Sequence, residues 1–472
     1  MHALKVGFVI LEVLLLFNLL IFVHELGHFL AARWRRMKVE RFAIWFGKPL
    51  WKKQINGVEY CLGWIPAGGY VALPQMATME VIEGKSDTPA ERLPPASPQD
   101  KIIVAFAGPL FSFLLAVAFA ALVWAVGRPV NEADQTTTIG WVDPTGPAWQ
   151  AGLRPGDEIR EVDGHRVTQF SPSSQDSVTW RIITSEGTNI PIQYVRDGRE
   201  EMAYPVPFRR ATQWYERKAL RQILIAAAHD ALLYDIATNS PAARAGLRRG
   251  DQVVAVNGEK IHSFIAVLQV EEAATNANAG PVTLTLKRGT NLFEATLAAE
   301  KPLRPVDSNP SFGIQSWQAD QRVVMTHPSP AEQIRTSMGQ IIGTFRTLLS
   351  RKSDVGVQQL GGAVMIIRAY KNLFETEEGW RLVLWFSVVL NVNLALLNLL
   401  PFPVLDGGHI TLALVEAVRR RPVSGVILQY LQTACAVVLI AFMVFIAFFD
   451  TGDWVRSARR DREESMVFAP KR

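Results

Sequence analysis

Two histidines and a glutamate interrupt an apolar run at Ile21–Leu30, IFVHELGHFL. On a helix, His24 and His28 are four residues apart and face the same way. That spacing lets two imidazoles grip one metal ion, and Glu25 between them can reach a water at the metal as general base. This is the HExxH pattern. Ionisable groups inside a membrane span are costly, and a metal site accounts for their presence. Catalytic zinc usually has three protein ligands and one open position. A candidate third ligand stands in NLLPFPVLDGGH, Asn398–His409. Asp406 is the only acidic residue near the inner end of that apolar span, and Gly407 and Gly408 leave its backbone free to approach a neighbour. Pro401 and Pro403 break the helix. An open backbone at membrane depth is tolerated only when buried in protein or lining a cavity. The chain has 2 cysteines, which excludes a disulfide scaffold and a thiolate zinc site. Cys61 falls in a loop and Cys435 in an apolar run, so metal ligands here must be histidine and carboxylate.

These residues need a membrane scaffold. The chain has 472 residues, 49% of them hydrophobic, and a formal net charge of +5. It is too apolar for an ordinary soluble protein and too polar for a pure membrane bundle. No dense Lys/Arg stripe with interleaved aromatics is present, so nucleic acid is not an expected partner. Four segments reach the roughly 20 apolar residues that a bilayer requires: Val6–Ala32, Ile102–Val126, Leu382–Leu400 and Val426–Phe449. The first is too long for a signal peptide and lacks a small-residue cleavage site, so it is expected to be retained. Arg33, Arg35, Arg36, Lys38 and Arg41 follow the first span, and Arg419, Arg420 and Arg421 lie between the third and fourth. By the positive-inside rule both connections are cytoplasmic. The middle region and both termini are then extracytoplasmic, and the two motifs meet toward the cytoplasmic side. Arginines in the tail after Asp453 oppose this reading, but acidic residues dilute them.

The middle region repeats itself. AGLRPGDEIREVDGHRV from Ala151 and AGLRRGDQVVAVNGEKI from Ala245 agree at 8 of 17 positions. Each reads as a helix end, a Gly turn, a strand and a hairpin turn. Each copy resembles a PDZ domain, which either binds a peptide or is a structural repeat without a ligand. Between the first two spans, Phe42–Leu73 mixes aromatics and β-branched residues around Asn56–Gly57, a strong hairpin signal, and carries a second Gly pair at Gly68–Gly69. A β-hairpin beside the membrane is expected, with Trp45, Trp51 and Trp64 as interfacial anchors. Met76–Gln99 reads as a flexible loop. Within Val324–Glu378, PAEQIRTSMGQIIGTFRTLL has helical amphipathicity. It either lies on the membrane surface or packs against the repeat.

HExxH in the first span, NxxPxPxLDGG in the third and tandem PDZ-like repeats between them resemble the site-2 protease family of intramembrane zinc metalloproteases, its RseP-type bacterial members above all. The resemblance covers nearly the whole chain. It implies a membrane α + β fold: a four-helix transmembrane zinc protease core, a membrane-associated β-hairpin and two tandem extracytoplasmic PDZ domains. The expected divisions are 1–129 (two spans and hairpin), 130–220 and 221–318 (PDZ domains), 319–380 (amphipathic connector) and 381–472 (two spans and tail). It implies one Zn2+ held by His24, His28 and Asp406, Glu25 as catalytic base, and Asn398 as oxyanion stabiliser. It matches Gly68, Gly69 and Tyr70 to the family's membrane-associated β-hairpin, which is expected to hold an unwound substrate segment by strand addition. One departure is visible: LGGAVMI from Leu360 stands where the family often has an SGP-like stretch. Expected substrates are single-span membrane proteins trimmed by another protease, anti-sigma factors or remnant signal peptides, cut in the bacterial inner membrane. The PDZ pair would grip a new C-terminus or exclude bulky outer domains. Asn391, two turns before Asn398, either lines the substrate site or bonds a neighbouring helix. His409 is either a fourth ligand or a packing residue beside the site. Two other classes compete: a catalytically silent PDZ-bearing adaptor and a metal carrier. An intact His24, Glu25, His28 and Asp406 set argues against the first, and the lack of repeated broken helices against the second.

Overall fold

The computed structural model describes residues 2–76, 93–94, 96–171, 174–274, 280–305, 308–317, 323–376, 378–421, 423, 425–460 and 466–470. Most of the loop expected at Met76–Gln99 lies outside them. The chain divides into two compact units: 1–128 with 326–342 and 360–450, and 129–325 with 343–359 and 451–472.

Among the described residues are four helices long and apolar enough to cross a membrane, lying wholly or mostly in the first unit. Helix α1 (His2–Trp34) carries HELGH in its last third. Helix α2 (Pro98–Val126) starts on Ser97, whose hydroxyl accepts from the Asp100 amide, with Pro98 at the first helical position; both features favour a helix start. It ends on Gly127 at φ 82°. Helix α10 (Gly379–Asn398) stops where Pro401 and Pro403 forbid continuation. Helix α12 (Gly425–Arg460) runs beyond the apolar stretch ending at Phe449. An Asp453–Arg456 ion pair one turn apart lies in that polar extension. Small residues let α1 and α2 approach: a Cβ on Gly27 would lie 2.4 Å from the Ala107 carbonyl oxygen.

The hairpin is formed by β1 (Arg41–Ile55) and β2 (Val58–Ala72). Asn56 and Gly57 both have positive φ, 49° and 79°, as a two-residue type I′ turn requires. The strands fold back on themselves: Ala43 pairs with both Tyr70 and Cys61, and Cys61 also pairs with Lys52. Cys61 is therefore a buried strand residue rather than a loop residue. Trp51 and Trp64 are exposed, whereas Trp45 donates its indole N–H to Asn18 on α1.

The second unit contains two separate cores. One gathers Ile139, Leu153, Ile159, Val162, Ile190 and Ile192; the other gathers Leu233, Val253, Leu284, Leu286, Leu297 and Phe312. Each fully buried aliphatic side chain contributes roughly 1.5–3 kcal/mol. The repeated segments build matching hairpins. Strand β5 (Glu158–Val162) turns through Asp163–Gly164 into β6 (His165–Arg166), and β11 (Gln252–Val256) turns through Asn257–Gly258 into β12 (Glu259–Lys260). Asp157 receives Arg196 Nε at 2.7 Å while Arg196 also donates to the Gly152 carbonyl. Asp251 receives Arg288 Nε at 2.6 Å while Arg288 donates to the Gly246 carbonyl. The expected boundary at 220/221 is too early, because β9 (Ile225–Ala227) pairs with β4 (Ile139–Val142) and completes the first core. The C-terminal tail docks on the second module: Val467 pairs with Arg304, Gln315 donates to the Met466 carbonyl, and Phe468 is buried.

The amphipathic segment forms α8 (Pro330–Leu349), and a second amphipathic helix, α9 (Ala363–Glu375), follows it. In the first unit, Ile334 of α8 packs with Ala120 and Val388.

Candidate active site

The site is built from four helices of the first unit, with the hairpin beside them. Helix α1 presents His24, Glu25 and His28 on successive turns. Helix α10 ends on Asn398. The Pro-rich break then delivers Asp406 as the first residue of α11 (Asp406–Arg419), where a carboxylate complements the positive end of the helix dipole. Gly407 and Gly408 make that return possible. A Cβ on Gly407 would lie 2.2 Å from the Leu399 carbonyl oxygen, and one on Gly408 2.1 Å from that of Phe402. Lys101 and Glu416 tie α2 to α11 at 2.7 Å.

The Nε2 atoms of His24 and His28 are 3.3 Å apart. His24 Nε2 lies 3.2 Å from Asp406 Oδ2, and His28 Nε2 lies 3.3 Å from Oδ1. Tetrahedral zinc with bonds of about 2.0–2.2 Å sets neighbouring donors roughly 3.3–3.5 Å apart. The donor set fits such an ion in chemistry and spacing. Asp406 Oδ2 is buried without a hydrogen-bond partner, as an oxygen reserved for a cation would be. The three residues form the one group of histidine, cysteine and acidic side chains among the described residues that could hold a metal.

Their outer nitrogens are engaged by α2. His28 Nδ1 lies 2.8 Å from the Val104 carbonyl oxygen and His24 Nδ1 lies 2.9 Å from Ser112 Oγ. Donation from Nδ1–H leaves both Nε2 lone pairs facing the shared space.

A cavity of about 250 Å3 opens on this group. Glu25, Asn398, His409, Phe46, Gly69 and Tyr70 line it with the three donors. Asn398 Nδ2 lies 3.4 Å from His24 Nε2. The hairpin reaches α1 at Gly69, where an added Cβ would sit 3.2 Å from Glu25 Cγ and 3.1 Å from Ile21 Cγ2. Gly68 has φ +73° and lies under Phe46, whose ring stacks on Tyr70 at 6.1 Å.

Of the residues expected at the site, His24, Glu25, His28, Asn398, Asp406, Gly69 and Tyr70 come together, with Gly68 one residue outside the cavity wall. Asn391 does not line it: it is fully buried and donates to the Ser387 carbonyl one turn earlier. Val104, Gly108 and Ser112 escaped the sequence reading. In an apolar helix a glycine and a serine look like packing residues, and the only available signal was their spacing of four along α2.

A family model described as Peptidase family M50 matches residues 12–443. The chain belongs to this family, the site-2 proteases, and is a membrane zinc metalloendopeptidase. Its relatives include several bacterial proteins. It is 28% identical over 463 residues to protease RseP of Yersinia pestis, covering 92% of this chain and 96% of that one. It is 29% identical over 440 residues to a Vibrio cholerae protein named, by inference, a zinc metalloprotease, covering 86% and 90%. A Neisseria meningitidis protein so named is 28% identical over 452 residues, covering 92% and 96%.

Proposed function

We propose that the protein hydrolyses peptide bonds within the membrane-spanning segments of single-span proteins that another protease has already shortened. The observation that carries this reading is the meeting of His24, His28 and Asp406 in one cavity with Glu25, beside a β-hairpin. His24, His28 and Asp406 would hold zinc, which when bound polarises the scissile carbonyl and makes water more acidic. Glu25 takes a proton from the attacking water and passes it to the leaving amine as the C–N bond breaks. The Asn398 amide donates to the oxygen that gains charge in the transition state. A helical substrate hides its carbonyls in its own hydrogen bonds, so it must unwind before attack. Residues Gly68–Tyr70 on β2 hold the unwound stretch by strand addition; their glycines leave the backbone bare beside Glu25, which supports this role.

The two repeated modules of residues 130–318 are PDZ domains that screen substrates from the extracytoplasmic side, and the basic connections after α1 and α11 face the cytoplasm. The duplicated Asp–Arg clasp and hairpins support the domain reading. The setting is the bacterial inner membrane.

The test pairs wild type with Glu25→Gln in detergent or liposomes, with a tagged, shortened single-span substrate followed on gels and zinc measured in both. Wild type should cut, and the variant should keep zinc without cutting. Equal cutting by both proteins would remove Glu25 from its role. Zinc in both with no cutting of a substrate panel would reject the function.

A further inference from the structure

Helix α2 meets the candidate metal site along a single stripe. Val104, Gly108 and Ser112 follow one another at intervals of four residues, so they lie on one face. The stripe continues through Ala116 and Ala120, all buried. Its first three members each touch an imidazole. Val104 supplies its carbonyl oxygen to His28 Nδ1 at 2.8 Å. Gly108 supplies empty space: a Cβ there would lie 2.2 Å from His28 Nε2 and 2.9 Å from His24 Nε2. Ser112 supplies a hydroxyl to His24 Nδ1 at 2.9 Å, with the serine wholly buried.

The two outer partners differ in kind. A main-chain carbonyl only accepts, so it fixes the proton of His28 on Nδ1 without help from any side chain. A hydroxyl accepts or donates, and His24 has this one side-chain oxygen at its outer nitrogen among the described contacts. An apolar residue at position 112 would leave a buried N–H without a partner, or would let the proton move to Nε2 and block the ligating lone pair.

We infer that Ser112 is a positioning residue for the metal site: its hydroxyl accepts from His24 Nδ1–H, fixes the ring's tautomer and rotation, and thereby keeps Nε2 available to zinc. The inference rests on the zinc-site reading given above. It asks nothing of Ser112 in the chemical step, because the hydroxyl lies on the far side of the ring from Asp406.

The test is zinc affinity of the full-length, detergent-purified protein, measured with zinc alone against a competing chelator, for wild type, Ser112→Ala and Ser112→Thr. Loss of the outer partner of a metal-ligating histidine weakens metal binding about 10–100-fold. Ser112→Ala should weaken zinc by that factor while helix content by circular dichroism stays that of wild type. Ser112→Thr, which keeps a hydroxyl on the same Cβ, should return to within about threefold of wild type. Wild-type affinity in Ser112→Ala would overturn the inference. Equal weakness in the alanine and threonine variants would also overturn it, making position 112 a packing position. Failure of wild type itself to bind zinc is a different result, and it would overturn the zinc-site reading.

Discussion

Gly108 and His28 approach so closely that a methyl group on the glycine would lie 2.2 Å from the imidazole Nε2. Alanine is about 1 kcal/mol better than glycine in a helix interior, so propensity favours Gly108→Ala. The site opposes it, because the imidazole must move to make room and it is a proposed ligand. Zinc content, measured by metal analysis after dialysis, should fall sharply in Gly108→Ala while helix content by circular dichroism is unchanged. Full zinc occupancy would separate α2 from the metal site.

Gly69→Val should separate substrate handling from metal binding. The Cβ position already lies 3.1 Å from the Ala43 carbonyl oxygen and 3.2 Å from Glu25 Cγ, and valine adds two methyl groups beyond it. The hairpin must draw away from α1. Cleavage of a shortened single-span substrate should drop by about tenfold or more, equivalent to about 1.4 kcal/mol on the barrier, with zinc retained. Unchanged cleavage would detach Gly69 from substrate handling.

The clasp in the first repeated module predicts a local loss of stability. Asp157 is 1% exposed and receives two bonds from Arg196 and one from the Arg154 amide. Arg196→Ala leaves that carboxylate short of partners, costing roughly 1–3 kcal/mol. Hydrogen-exchange protection of β5 and of β7 (Ile192–Arg196) should fall accordingly, and protection of β11 should not. Equal loss in both modules would show that they open as one.

The matching clasp in the second module predicts acid sensitivity. Burial pushes the Asp251 carboxyl upward, but bonds from Arg288 and the Arg248 amide, with both guanidinium charges, bring it below the usual carboxylate range. The folded module therefore prefers the ionised form more than the unfolded chain does. That stabilisation is full above the unfolded value near 3.9 and is lost as pH falls through the folded value. Protection factors in β11 and its partner β13 (Val282–Arg288) should decline between pH 5 and pH 2.5, and less steeply in Asp251→Asn. Parallel decline in both proteins would remove Asp251 as the cause.

The tail gives a further structural test. Phe468 is 3% exposed, and Leu303 N–H donates to the Val467 carbonyl at 2.7 Å. Phe468→Ala removes the apolar anchor of that docking. Protection at Leu303 and Val467 should be lost while β11 keeps its own. Persistence of both amides would show that the strand bridge alone holds the tail.

Much of this was legible in the chain. The four spans declare themselves by length and apolarity, HExxH by its helical spacing, and Asn56–Gly57 and the repeat's turns by residues that accept positive φ. Asp406 could be chosen because few acids lie near a span that prolines interrupt. The remainder depended on packing. Position 391 shares a helical face pattern with 398, but periodicity gives direction without depth, and Asn391 spends its amide on its own helix. The Ser112–His24 bond joins residues 88 apart, and neither residue's local pattern reports it. The tail's docking is likewise a long-range pairing of irregular segments, which no periodicity announces.

The order in which the site's parts occur along the chain has a consequence for biosynthesis. The two imidazoles leave the ribosome within the first helix, and α2 with its orienting stripe soon follows. Asp406 and Asn398 arrive only after both repeated modules have been made. Until then the nascent protein lacks a donor for its metal and the amide beside it. An unfinished chain therefore has no complete hydrolytic centre until the last of its apolar spans are being made.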